Sequence, residues 1–308
     1  MIRSLISGFS NNGRVWTQRL SPTTSNIYEV VYGNGIFVGA GLIPVRSVGG
    51  INWTLGTQPA GTEWGCKAIA YGKGLFVMGV DGGTSTYRIF TSPDGITWTG
   101  RSVSSASGEY VDGIAYGNNI FVVSISNGEN SLRISTSTNG TTWTNRTPPS
   151  FAMHFPGSKV AFCNGYFFIL NGSNTEYARS VDGVTWTKFT SPLASQAKIT
   201  YGNNLYVMTG YAGHYGVATS TNGTTWTKHT TAFTNAGLTS SDYIYTSIFA
   251  NGLFIVASSK GKLITSTDGI NWTQNTTEFG TRSINGIDYG NGMYVAVGSG
   301  GKIATYSE

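Results

Sequence analysis

Charge is scarce in this chain of 308 residues. Asp, Glu, Lys and Arg together make up 11%, against about 25% in an ordinary globular domain. The net charge of +5 comes with no run of Lys or Arg, so the clustered basic patch that nucleic-acid binding needs is missing. Cysteine is nearly absent too. Cys66 and Cys163 fall in different phases of the sequence, which predicts two unpaired packing residues and excludes a disulfide scaffold. The three histidines, His154, His214 and His229, have no metal-ligand spacing, and no metal or cofactor is expected. Acidic residues are thinly placed: Glu63, Glu109, Glu129, Glu176 and Glu278 each stand alone in loops, where a carboxylate is ordinarily solvated. Paired carboxylates for glycosidic chemistry are therefore not evident. No nucleophile elbow, phosphate loop or dinucleotide fingerprint occurs. The longest apolar stretch, Gly35 to Val45, is interrupted by Pro44 and is too short to cross a bilayer. Met1 to Ser10 offers no continuous apolar run for a signal peptide.

What the chain has instead is repetition. A seven-residue phrase runs Ser, any residue, Asp or Asn, Gly, two residues, Trp. It occurs at Ser10–Trp16, Ser47–Trp53, Ser92–Trp98, Ser137–Trp143, Ser180–Trp186, Ser220–Trp226 and Ser266–Trp272, and Thr follows the Trp each time. The Trp residues recur every 37 to 46 positions. A period of about 40–50 residues made of short strands is the mark of a β-propeller, one blade per repeat.

A second phrase interleaves with the first: an aromatic, a Gly-Asn-Gly-like turn, and an apolar-aromatic-apolar triplet. Its seven copies begin at Tyr32, Tyr71, Tyr116, Phe162, Tyr201, Phe249 and Tyr289. Asn-Gly between apolar runs supplies the positive φ of a tight hairpin, so each copy predicts two antiparallel strands. In the third repeat these are Ile114–Tyr116 and Ile120–Val123, followed by Leu132–Ser135 and Thr142–Asn145. The turn phrase then lies between strands three and four. The last repeat ends with a predicted third strand, Lys302 to Tyr306, and no turn phrase, whereas the first turn phrase has no hairpin before it. The expectation is an all-β, seven-bladed propeller of four-stranded antiparallel blades. The N-terminal strand closes the last blade. Residues 1–9 form a short leading segment and 10–308 a single domain.

The phrase Tyr-Gly-Asn-Gly-x-Phe-Val followed by Thr-Ser-x-Asp-Gly-x-x-Trp-Thr resembles the Asp-box (BNR-like) repeats of phage tail or fibre proteins and bacterial surface proteins. One departure is visible. Sialidase boxes carry a residue between Asp and Gly, whereas Asp94-Gly95, Asp182-Gly183 and Asp268-Gly269 are adjacent, Asn stands at 12, 139 and 222, and Gly at 49. The resemblance implies that the boxes are structural. A sialidase would need three arginines, a Tyr–Glu pair and an Asp acid. Its early Arg-Ile-Pro phrase is missing here, and Arg88, Arg133 and Arg179 read as one shared repeat position at the start of third strands. The chain is expected not to be an enzyme.

Tight, near-invariant turns must share one face of the disk. The opposite face carries the variable connections, among them Leu55 to Cys66, Gly100 to Asp112, Asn145 to Ser158 and Thr209 to Gly216. Loops on a rigid scaffold are where binding residues gather. The candidate ligand-binding residues there are Trp64, Tyr87, Tyr110, His154, Tyr177, Tyr211, His214 and Tyr215. Aromatics among Asn, Ser and Gly suit sugar rings or a protein surface. The resemblance implies a virion component that recognises a host surface glycan or envelope protein, located on the virion or at a cell surface without a cleavable signal peptide. The alternative is a structural propeller that scaffolds other virion or assembly proteins. Neither reading involves nucleic acid or membrane insertion.

Overall fold

The structure, a computed structural model, describes residues 14–62, 65–80, 87–103, 108–126, 132–150, 159–172, 175–210 and 216–307. These residues form seven four-stranded antiparallel sheets, each strand pairing with its sequence neighbour in six of them. Blade one is Ile27–Gly33, Ile36–Gly41, Val45–Val48 and Thr54–Leu55. In blade three the strands are Tyr110–Gly117, Ile120–Ser126, Leu132–Ser137 and Thr144–Arg146, so the inner strand is longer and the outer one starts later than predicted. Blade seven consists of Ile284–Gly290, Met293–Gly298 and Ile303–Ser307, with Thr17–Arg19 as the fourth strand. Thr17 pairs Thr305 and Arg19 pairs Ile303. The N-terminal strand thus closes the ring and covers what would be a free edge. The leading segment 1–9 lies outside the described residues. Among the described residues, no helix is long and apolar enough to cross a membrane.

The turn phrase works by hydrogen bonding. In blade four, Ser180 Oγ accepts from Gly183 N at 2.8 Å and donates to Asp182 Oδ1 at 2.9 Å. Asp182 Oδ1 in turn accepts from the backbone N–H of Val184 and Thr185, each at 2.8 Å. Gly183 takes φ +70°, a region that disfavours any side chain. Asn139 and Asn222 reproduce the same bonds at 2.9 Å, because the geometry uses one acceptor oxygen and no charge. Where Gly49 replaces the Asx residue, Ser47 Oγ is buried without a hydrogen-bond partner among the described residues. The backbone bonds hold Asp94 and Asp182 below the ordinary carboxylate range. For Asp268, burial pushes upward but the N–H of Asn271, the Asn271 amide and Ile270 N–H overcome it, bringing the carboxyl down to about 2.

Between blades the packing has one recurrent device. The glycine after the hairpin aromatic lies under the corresponding ring of the next blade. A Cβ on Gly33 would sit 2.1 Å from Tyr71 Cγ, and on Gly290 2.1 Å from Tyr32 Cγ. Blades four and six depart from this, with Cys163 and Ala250 in that position. Neither Cys66 nor Cys163 is in a disulfide, and burial pushes the Cys163 thiol up to about 12.

Candidate functional site

The seven inner strands surround a central channel, and the sequence aims particular side chains into it. In six blades the inner strand carries a β-bulge four residues before the hairpin aromatic, between Ile27 and Glu29, Cys66 and Ala68, Val111 and Gly113, Gln196 and Lys198, Ile244 and Thr246, and Ile284 and Gly286. A bulge inserts one unpaired residue and re-aims its side chain. The inserted residues are Tyr28, Lys67, Asp112, Ala197, Tyr245 and Asn285. Five of the six, all but Ala197, line the mouth of the channel on the face opposite the tight turns.

The mouth is a cavity of about 430 Å³, completed by Asn26, Tyr110, Lys159, Ser283 and Ser299 among others. Below it the channel narrows to about 40 Å³, where Glu29 and Lys198 join Lys67, Asp112 and Lys159. Lys67 Nζ stands 5.5 Å from the centroid of the Tyr28 ring, a favourable cation–π arrangement. Lys198 Nζ approaches Glu29 Oε1 at 3.7 Å, and Glu29 Oε2 accepts from Ile69 N at 3.0 Å. Lys159 is half-buried in the channel wall. Desolvation, and next the neighbouring Lys198 charge, bring its ammonium down to about 8, although Glu29 and Asp112 pull the other way.

On the inner strand Ile284–Gly290, Asp288 bridges the closing seam. Its Oδ2 accepts from Tyr32 N of blade one at 2.6 Å and its Oδ1 from Tyr289 N at 2.9 Å. Desolvation outweighs these bonds, and the carboxyl is raised to about 6.

The three sequence-derived site residues that the structure describes, Tyr87, Tyr110 and Tyr177, are dispersed by the fold. Trp64, His154, Tyr211, His214 and Tyr215 lie outside the described residues. Tyr110 lines the cavity. Tyr87 is on the outer edge of blade two, its ring against Gly100 of the fourth strand and edge-on to Phe90 at 6.2 Å. Tyr177 does not belong to an exposed loop. It is fully buried, stacked between Phe168 and Phe189. Its hydroxyl donates to Gly223 O at 2.8 Å and accepts from Trp226 Nε1 at 2.9 Å. Tyr177 follows the first residue of the strand Glu176–Ser180, so it faces its neighbours across the sheet and reaches the next blade.

Two other expectations change. Glu109 is 2% exposed, and its Oε1 accepts from Arg133 Nε at 2.7 Å, so it is a buried partner and not a solvated loop acid. Arg88 and Arg133 share a position four residues before the turn Ser, but Arg179 stands one residue before it. Arg179 instead lies 4.2 Å from the Tyr166 ring centroid and donates to Asn222 O at 3.0 Å. No group of three or more His, Cys, Asp or Glu residues that could hold a metal ion occurs among the described residues.

Most of the channel residues belong to strands, where a search of the loops does not find them. A signal was present in the sequence. Three or four residues before each hairpin aromatic, where the inner strand is otherwise small and apolar, stand Tyr28 and Glu29, Lys67, Asp112, Lys159, Lys198, Tyr245 and Asn285. Five of the chain's 33 charged residues, Glu29, Lys67, Asp112, Lys159 and Lys198, converge there.

The architecture has a named counterpart in sequence. The DUF6242 beta propeller domain matches residues 100–195 and 190–308, more than half of the chain. The chain belongs to this family. No curated protein matches it by sequence. Solved structures extend the likeness to the whole ring. One is YCF48 bound to a D1 peptide, 14% identical with TM-score 0.72, covering 97% of this chain and 96% of that one. Another is virginiamycin B lyase from Staphylococcus aureus with quinupristin, 13% identical with TM-score 0.78, covering 96% and 99%. The WD40 propeller of Doa1 is 10% identical with TM-score 0.68, covering 95% and 97%. At these identities the similarity is one of fold, and the three proteins differ in what they do.

Proposed function

We propose that the chain is a non-catalytic binding propeller whose ligand enters the channel mouth on the variable-connection face, and that the ligand is a surface glycan. The observation that carries this reading is the composition of the 430 Å³ cavity: Tyr28, Tyr110 and Tyr245 offer ring faces, while Asn26, Asn285 and Ser283 offer amides and a hydroxyl. Phenol rings with amides and hydroxyls match the alternating apolar faces and hydroxyl edges of a sugar. The weakly charged surface, rich in Ser, Thr, Asn and Gly, suits a protein exposed outside cells. Together with the resemblance of its repeats to phage tail and fibre proteins, it supports placement on a virion or cell surface with a host glycan as target.

The test is a glycan array followed by titration of the hits. Tyr110→Ala is expected to weaken binding about tenfold, since a buried aromatic contact contributes on the order of 1 kcal/mol. Tyr87→Ala, on the outer blade edge, is expected to leave binding unchanged. Equal losses from both, or from neither, would sink the cavity assignment.

A protein-scaffolding role is the second reading. It is favoured by exposed aliphatic side chains on the opposite, tight-turn face, where Val48, Val181, Ile51 and Ile270 are 71%, 57%, 47% and 41% exposed. Stable co-purification of a partner protein lost on Val48→Ser with Val181→Ser would favour it.

A further inference from the structure

The two levels of the channel differ in size and charge, and the difference specifies the ligand more narrowly. The upper cavity of about 430 Å³ has room for a sugar ring with its hydroxyls. The lower space of about 40 Å³ holds only a few atoms, roughly three at ~10–15 Å³ each. A sugar ring does not fit there, but a carboxylate does. Among the described residues three ammonium groups, on Lys67, Lys159 and Lys198, line this lower space against two carboxylates, on Glu29 and Asp112. Glu29 is engaged by Lys198 and by Ile69 N. Lys159 lines both levels, and no carboxylate lies within ion-pair distance of it among the described residues. A half-buried cation short of a counter-charge favours an anion that gives up part of its hydration to reach it.

We infer that the lower channel is a carboxylate seat on Lys159, and that the glycan bound in the mouth is an acidic one carrying a uronic-acid-type sugar at its end. The inference rests on the glycan reading above. The sugar ring lies among Tyr28, Tyr110 and Tyr245, and its carboxylate points down the channel axis to the Lys159 ammonium. A neutral sugar of the same shape would leave that ammonium as it stands and gain only the contacts of the mouth.

The experiment titrates the full chain with tri-galacturonate, its methyl ester and neutral tri-galactose, followed by calorimetry or ligand-observed NMR. A tetrapeptide with a free or an amidated C-terminus is titrated alongside. The acid is expected to bind at least tenfold more tightly than the ester or the neutral sugar. Lys159→Met is expected to bring the acid down to the neutral level, and Lys159→Arg to retain most of the affinity; circular dichroism confirms that both variants fold. Equal affinity for acid and neutral sugars, or an unchanged affinity in Lys159→Met, overturns the carboxylate seat but leaves the glycan reading intact. Binding of the free-carboxyl peptide with no response to any sugar overturns both, as does silence towards all the probes.

Discussion

The Asp288 carboxyl makes this propeller's stability depend on pH in a direction opposite to ordinary acid unfolding. Its value rises from 3.8 to about 6 in the folded ring. The folded state therefore holds the extra proton between about pH 4 and pH 6, and stability increases as the pH falls through that window. About two pK units, at 1.36 kcal/mol each, set an upper value of about 3 kcal/mol for the whole window. The part gained between pH 7 and pH 5 is on the order of 1 kcal/mol, because pH 5 still lies above the unfolded value of 3.8 and the remainder comes only below it. The turn aspartates do not interfere. Their folded values lie below 3.8, so their contribution is intact above that value and is lost only as the pH falls below it. The expected profile has a maximum near pH 4–5, with a decline on both sides. Urea unfolding followed by Trp fluorescence at pH 7 and pH 5 measures the difference, and Asp288→Asn supplies the reference. The variant loses one acceptor for Tyr32 N or Tyr289 N, which lowers its stability at every pH, yet it has no proton to gain. A wild-type protein no more stable at pH 5 than at pH 7, or an Asn variant with the same increment, would refute the assignment of the shift to this seam.

Three further outcomes are expected. Gly117→Ala places a Cβ 2.3 Å from Phe162 Cγ and forces blades three and four apart; a loss of about 1–3 kcal/mol in urea unfolding checks it, with Gly35→Ala, whose Cβ meets nothing within 4 Å, as the strained but uncrowded comparison. Ser180→Ala removes the acceptor for Gly183 N and the donor to Asp182 and is expected to destabilise by about 1–2 kcal/mol, whereas Ser47→Ala, whose hydroxyl has no partner among the described residues, is expected to be near neutral. Removing residues 1–19 uncovers the edge of Ile303–Ser307; lower thermal stability and concentration-dependent association on size exclusion are expected, and an unchanged monomer would contradict the latch.

Much of the fold was legible because propellers write their geometry locally. Asn-Gly turns such as Asn34-Gly35, with φ of 49° and 79°, need only their own dihedrals to make a hairpin. The Ser-x-Asx-Gly turn satisfies its own backbone within four residues. Counting these phrases also exposed the unpaired N-terminal copy and hence the closure of blade seven. The glycine after the hairpin aromatic in five of the blades was less legible. It looks like turn composition, but its reason is the ring of another blade some 40 residues away. Tyr177 misled for a related cause: its position beside a variable connection suggested exposure, while its neighbours across the sheet and Gly223 of the next blade bury it.

The candidate site divides along the same line. The sequence by itself determined that seven similar blades exist, where their tight turns fall, and that one face carries the variable connections. Which side chains meet was decided only by closing the ring. Glu29, Lys67, Asp112, Lys159 and Lys198 are scattered over some 170 residues of sequence and share no motif. They are brought together because the inner strands of a closed ring carry these positions around a common axis. Periodicity along a chain fixes a repeat, but an axis exists only once the last blade has met the first.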